Sequence, residues 1–188
     1  MRNQEPQMIL QTLPKPKYDD SMKITSQDYS EANELAKLQV KVDNLSPEYV
    51  TEISDEIYQR QPFFLTVLLG YRLDTTMEEL GEIMKIYFLI WEYFKHNKNV
   101  QTKKVTAAYF EQVQNRNIRM LHYAEGEHEH HDKLNIYSND LQNMKSKALI
   151  ATVLFRYNNR PVLSKIEEKK KGIILVGIKS FIECFEAI

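Results

Sequence analysis

One stretch of the chain stands apart chemically. Residues 122–132 hold His122, His128, His130 and His131, four of the five histidines, together with Glu125, Glu127, Glu129 and Asp132. Imidazole nitrogens and carboxylate oxygens gathered in so short a segment suit zinc, iron, nickel or manganese. The chemistry this composition could do is therefore metal binding or metal-assisted hydrolysis. Its candidate ligands are Glu127, His128 and His131, with Glu125 or Asp132 completing the shell, and zinc or iron would be the cofactor. Outside this segment the sequence implies no cofactor.

Two established spacings test that reading. In the zincin helix, H-E-x-x-H, two histidines one turn apart hold the metal and the glutamate serves as base. Here His128-Glu129-His130-His131 is followed by Asp132 where the second ligand histidine belongs, so the motif fails at a ligand. Glu125-x-x-His128 and Glu127-x-x-His130 both match the E-x-x-H spacing of ferritin-like di-iron bundles. Such bundles draw the two motifs from separate helices and add an inward glutamate from each of two more. These motifs overlap on one segment. Helical phasing at about 100° per residue also turns Glu52, Glu56, Glu82 and Glu92 away from the apolar stripes of their own segments, so the partner carboxylates are not expected to converge.

Gly126 decides what remains. If a helix continues through it, Glu127, His128 and His131 share the azimuth of Val113, Met120 and Ala124 and point at the core. There they would need a metal or one another, because unpaired burial costs several kcal/mol. If Gly126 is a left-handed cap, the helix stops just after Ala124 and the cluster is a solvated loop. Glycine directly after the last periodic apolar residue is the ordinary stop signal, and the loop is the expectation.

The remaining chemistry-bearing groups read as structural. Lys169, Lys170 and Lys171, with Lys165 and Lys179, form a basic run, but Glu167, Glu168, Glu183 and Glu186 interleave with it and a solvated face is expected. His96 at a helix end suits the terminal carbonyls. Trp91 with Tyr87, Phe88 and Phe94 follows helical spacing, as a core does. Cys184, the single cysteine, has no base beside it and reads as an inert thiol. No phosphate-cradling glycine loop and no G-x-S-x-G elbow is present.

The elements that must position these groups are helical. Apolar residues recur at spacings of three and four in Leu35, Leu38, Val42 and Leu45, and again in Val50, Ile53 and Ile57 after the start signal Ser46-Pro47. Pro62 should break the chain before a short buried helix through Phe63, Phe64, Leu65, Val67, Leu68 and Leu69. Thr75-x-x-Glu78 and Thr76-x-x-Glu79 are overlapping capping boxes ahead of Leu80, Ile83, Met84, Tyr87, Phe88, Trp91 and Phe94, the clearest periodicity in the chain. That helix should lie at the centre. A further helix is expected from about Thr102 with Tyr109, Phe110, Val113, Met120, Leu121 and Ala124 inward. Another should run through Tyr137, Leu141, Met144, Ala148, Ala151 and Phe155. The last, opened by Pro161 and Ser164-x-x-Glu167, places Ile174, Ile178, Phe181 and Phe185 inward, although residues 172–178 are rich enough in β-branched side chains to form a short strand. Residues 1–25, with Pro6, Pro14 and Pro16, read as an extended arm.

The expected fold is thus all-α: one compact domain of six or seven helices over residues 26–188, with the N-terminal arm at 1–25. The 188 residues are enough to bury a core, and five glycines are too few for a turn-rich β-sandwich or barrel. Twenty-five basic residues against 26 acidic give no global field to steer nucleic acid. No apolar run approaches the roughly 18 residues of a membrane span, residues 1–25 lack the apolar region of a secretory signal, and one cysteine makes no internal disulfide, so a cytoplasmic protein is expected. By elimination the first functional expectation is a non-enzymatic helical binding or scaffold protein, with a protein partner or a second copy docking on the arm or on apolar grooves. The second is a metal-binding protein or metal-dependent enzyme built on the cluster at 125–132. A nucleic-acid-associated regulator is third, carried only by the lysine run.

Overall fold

Caps and prolines mark where most of the helices begin. The structure, a computed structural model, describes residues 26–188, with side chains from Tyr29 onward; the expected arm at 1–25 lies outside the described residues. The described chain is all-α, with ten α-helices and one 3-10 turn and no strand among the described residues. They are α1 (Ser26–Asp43), α2 (Pro47–Arg60), α3 (Pro62–Gly70), the 3-10 turn (Tyr71–Leu73), α4 (Met77–Phe94), α5 (Lys98–Thr102), α6 (Ala107–Gly126), α7 (His130–Gln142), α8 (Lys147–Asn159), α9 (Pro161–Ser164) and α10 (Glu168–Ala187).

Where the sequence carries a strong start signal, the structure uses it. The Ser46 hydroxyl accepts from the Tyr49 amide at 3.2 Å, with Pro47 in the first helical position of α2. Thr76 and Glu79 close the reciprocal capping box of α4 at 3.2 and 2.7 Å. Gln61, buried between α2 and α3, ties a distant connection to that corner. Its amide donates to the carbonyls of Val100 and Lys103, both at 2.6 Å, and its oxygen accepts from the Val105 amide at 3.0 Å.

The helix count exceeds the six or seven expected because three segments that read as continuous are broken. Thr106 caps α6 by accepting from the Tyr109 amide, so that helix starts at Ala107 rather than at Thr102, and α5 stands alone before it. At residues 143–146 the Ser146 amide donates to the Glu186 carboxylate at 2.7 Å and Lys145 Nζ donates to the Glu186 carbonyl at 2.9 Å. Those two bonds pin the chain to the end of α10 and separate α7 from α8. The phase of α8 is therefore not inherited from α7: Leu149, Val153 and Tyr157 point inward, while Ala151 is exposed and Phe155 is 66% exposed. At the last break, α9 is a single turn, and Ser164 donates to the Pro161 carbonyl instead of capping α10. Residues 172–178 are helical.

The core sits between α4 and α10. From Ile86 to Trp91 every side chain of α4 is fully buried, because α1, α3, α9 and α10 surround it. α6 packs along α10, and α1 lies on both α4 and α8. Aromatic rings fill the junction: Phe64 stacks on Tyr87 at 4.6 Å and meets Phe181 edge-on at 4.9 Å, and Phe110 stacks on Phe181 at 4.2 Å. Each such pair adds about 0.5–1.5 kcal/mol beyond the area it buries.

Candidate functional site

The metal-type cluster lies across a helix-to-helix turn. Gly126 is helical and has no positive φ, so α6 runs through it rather than ending at a left-handed cap. Glu127 then turns extended, its amide accepted by the Ala124 carbonyl at 3.2 Å, and α7 starts at His130. Neither path expected at Gly126 is taken: the helix passes the glycine but stops before it can carry His128 and His131 inward. Glu127 is half-buried, while His128, His131, Glu125 and Asp132 are exposed. His122 Nδ1 stands 3.7 Å from a Glu125 oxygen. Among the described residues no three histidine, cysteine, aspartate or glutamate side chains converge as a metal site would require.

Of the four carboxylates that helical phasing turned outward, Glu52 is exposed, whereas Glu56, Glu82 and Glu92 are partly or fully enclosed where α1, α2 and α8 meet α4. Glu92 is buried, accepts from Tyr49 and pairs with Lys41 and Lys95, both at 2.8 Å. Burial by itself would raise its carboxyl; the hydrogen bonds from Lys41, Lys95 and Tyr49 outweigh that and hold it below the ordinary value. Glu56 accepts from the Trp91 indole at 3.0 Å. Glu82 and Asp43 both meet the buried Arg156 guanidinium, at 3.3 and 2.6 Å, and Arg160 joins them from the surface. These groups clamp α1, α2, α4 and α8 together. Cys184 is buried, which pushes its thiol up to about 12, with the Glu183 charge adding to the rise.

One buried lysine lies in the wall of a cleft. Lys179, expected in the solvated basic run, is only 9% exposed, because α10 is buried along most of the face that carries it. Its ammonium meets Asn117 Oδ1 at 2.8 Å, Glu183 Oε1 at 2.8 Å and Asp140 Oδ2 at 3.2 Å. The buried Asn117 in turn donates to Ser180 Oγ at 3.0 Å and to Glu183 Oε2 at 2.6 Å, and Ser180 donates to the Val176 carbonyl. Asn117, Asp140 and Lys179 form one end of a cleft of about 300 Å³ between α6, α7, α8 and α10. Its walls are Met120, Leu121, Leu141, Ile150, Leu154 and Leu175, with Tyr137, Val176 and Gly172 completing the lining.

The chain matches no protein-family model, no curated protein and no solved structure. What the cleft can do thus follows from its own chemistry. Nearly all of its lining is hydrocarbon, and Lys179, Asn117 and Ser180 donate to one another, to Asp140 and Glu183, and to the Val176 carbonyl. Sequence reasoning missed that network. Asn117 did carry a signal: it lies four residues after Val113 and seven after Phe110, a polar residue on an apolar stripe. Lys179 sits between Ile178 and Ser180 in the most buried part of α10, with Glu183 one turn on, and that flanking was the available hint.

Proposed function

We propose that this protein is a binding protein whose ligand is a small, largely apolar molecule held in the cleft between α6, α7, α8 and α10. The observation that carries this reading is the cleft itself, about 300 Å³ and walled by Met120, Leu121, Leu141, Ile150, Leu154 and Leu175, so that almost all of the surface it offers is apolar. That volume lies at the small end of ligand sites. A 150 Å³ apolar cavity accepts benzene, so about a dozen non-hydrogen atoms fit here. Burial of the ligand's hydrocarbon supplies the affinity. The ionisable side chains at the cleft's end are held by one another, which suits recognition better than proton transfer.

The cleft also has a movable wall. None of the residues of α7 is buried, so this helix can shift to admit a ligand at less cost than α4 or α10 would incur. The neutral dye 1-naphthylamine, with about a dozen non-hydrogen atoms, tests the reading, since its emission moves to shorter wavelength when it leaves water. The full chain should shift that emission at a stoichiometry near one, and Leu154→Trp, which fills the cleft, should abolish the shift while leaving the helical circular dichroism intact. An equal shift with both proteins would contradict the proposal.

A further inference from the structure

The start of α1 lies close to the cleft. Asp43 at the end of α1 pairs with Arg156 and Arg160 at the end of α8, while Ser30 near the start of α1 shares a surface pocket with Ser146, the residue before α8. The two helices therefore run side by side in the same direction. The Tyr93 hydroxyl, donating to Glu31 at 2.6 Å, holds the first turns of α1 in that place. Lys145 and Ser146 of the pocket join α7 to α8, and Leu141 and Ile150, one helical turn to either side, wall the cleft. The pocket takes Glu186 from α10 and the cleft takes Lys179, which places the two about 10 Å apart along that helix.

The chain ahead of α1 has a sequence that matches both. Residues 6–14 carry no charge and hold Met8, Ile9, Leu10 and Leu13, and Lys15, Pro16 and Lys17 follow directly. Leu10 and Leu13, three residues apart, fall on the same side of a helical or a polyproline turn. A 150 Å³ cavity holds one benzene-sized group, so the cleft of about 300 Å³ takes two such leucines. The neighbouring pocket sets Glu31, Glu34 and Glu186 against one cation among the described residues, Lys145, whose ammonium donates to the Glu186 carbonyl. Lys15 and Lys17 complement that charge. Pro14 and Pro16 favour extended backbone, so Leu13 to Lys17 spans about 12 Å, close to the separation of the two sites. Asp19 and Asp20 fall in the return to Ser26, whose nine steps reach about 30 Å and close with slack.

We infer that residues 8–13 occupy the cleft of their own molecule when no ligand is bound, with Leu10 and Leu13 against Leu141, Ile150 and Leu154 and with Lys15 and Lys17 over Glu31, Glu34 and Glu186. The apolar side chains hold the segment, and the exposed ion pairs set its direction while adding little affinity. A ligand then binds by displacing it. This rests on the cleft being a ligand site, as proposed above, and adds the regulation of that site.

Leu10→Asp/Leu13→Asp in the full chain tests the inference, because two carboxylates cannot enter an apolar cleft and both positions precede the helices. 1-Naphthylamine should bind this variant about tenfold more tightly than the natural chain, since self-occupancy lowers apparent affinity by the fraction of sites left open. In the natural chain, nuclear Overhauser effects should join the Leu10 and Leu13 methyls to those of Ile150 and Leu154 at any protein concentration, and saturating dye should remove them. Equal dye affinity in the two chains, or the absence of those effects, would overturn the inference and leave the cleft reading standing. Effects that grow with protein concentration would overturn it in favour of a second copy. If the dye responds to neither chain, the ligand reading falls and the inference with it.

Discussion

At the scale of single residues, buried charges sit in ion-pair networks, although the buried Arg156 keeps Nε and Nη1 without a hydrogen-bond partner among the described residues. Glu92 shows the consequence for stability. Its carboxyl is held below the ordinary value of 4.5 by Lys41, Lys95 and Tyr49, against the effect of burial. The folded state therefore binds that proton less readily than the unfolded chain does. The stability Glu92 adds is complete above pH 4.5 and is lost as the pH falls through its lowered folded value. Glu92→Gln should accordingly cost about 1–3 kcal/mol at pH 7, and the gap to the natural protein should shrink as the pH is taken below the carboxylate range. Urea unfolding at pH 7 and at successively lower pH reads both. Of the partners of Glu92 only Lys95, three residues on, is local; Lys41 and Tyr49 come from helices about fifty residues away and leave no sign in the sequence around it. Asn117 and Lys179 showed only as polar residues on apolar faces, because the bonds that join them and tie Lys179 to Asp140 are made between helices and set by packing.

At the scale of elements, the helices opened by a Ser-Pro pair, a proline or a reciprocal capping box were legible, whereas those opened by the lone caps Asn97 and Thr106 or set off by tertiary contacts were not. Ser46-Pro47, Pro62 and Thr76-x-x-Glu79 act locally, and α2, α3 and α4 start where they predict. The division between α7 and α8 depends on Glu186, forty residues on from Ser146, and no local pattern announces it. The two glycines of α10 illustrate the contrast further. A Cβ at Gly177 would run into the Tyr71 hydroxyl, which packs against that turn, whereas a Cβ at Gly172 meets nothing within 4 Å. Gly172→Ala should therefore raise stability by about 0.5–1 kcal/mol through helix propensity, and Gly177→Ala should lower it despite the same intrinsic gain. Thermal melts of the two variants check the opposite signs. Gly126, which reads as a stop, is an ordinary helical residue, and it is Glu127 that turns the chain away.

At the scale of the whole molecule, the helical class followed from the three-to-four-residue apolar rhythm and from scarce glycine, while the cleft did not. Its walls come from four helices that follow one another closely between residues 117 and 179, and it is their packing rather than any local pattern that brings Asp140 to Lys179. No helix among the described residues is long and apolar enough to cross a membrane. The apolar cleft is partly open to water, in a protein whose formal charge is close to balanced. Binding should consequently be local to the cleft and little affected by salt when the ligand is neutral. The measurement that tests this most directly is a methyl-resolved NMR titration of the full chain with 2-phenylethanol. Saturable shifts are expected at Leu141, Ile150, Leu154 and Leu175, with the exposed Leu69, Leu73 and Leu134 unmoved. Shifts confined to those three exposed leucines, or spread evenly over all seven residues, would contradict it.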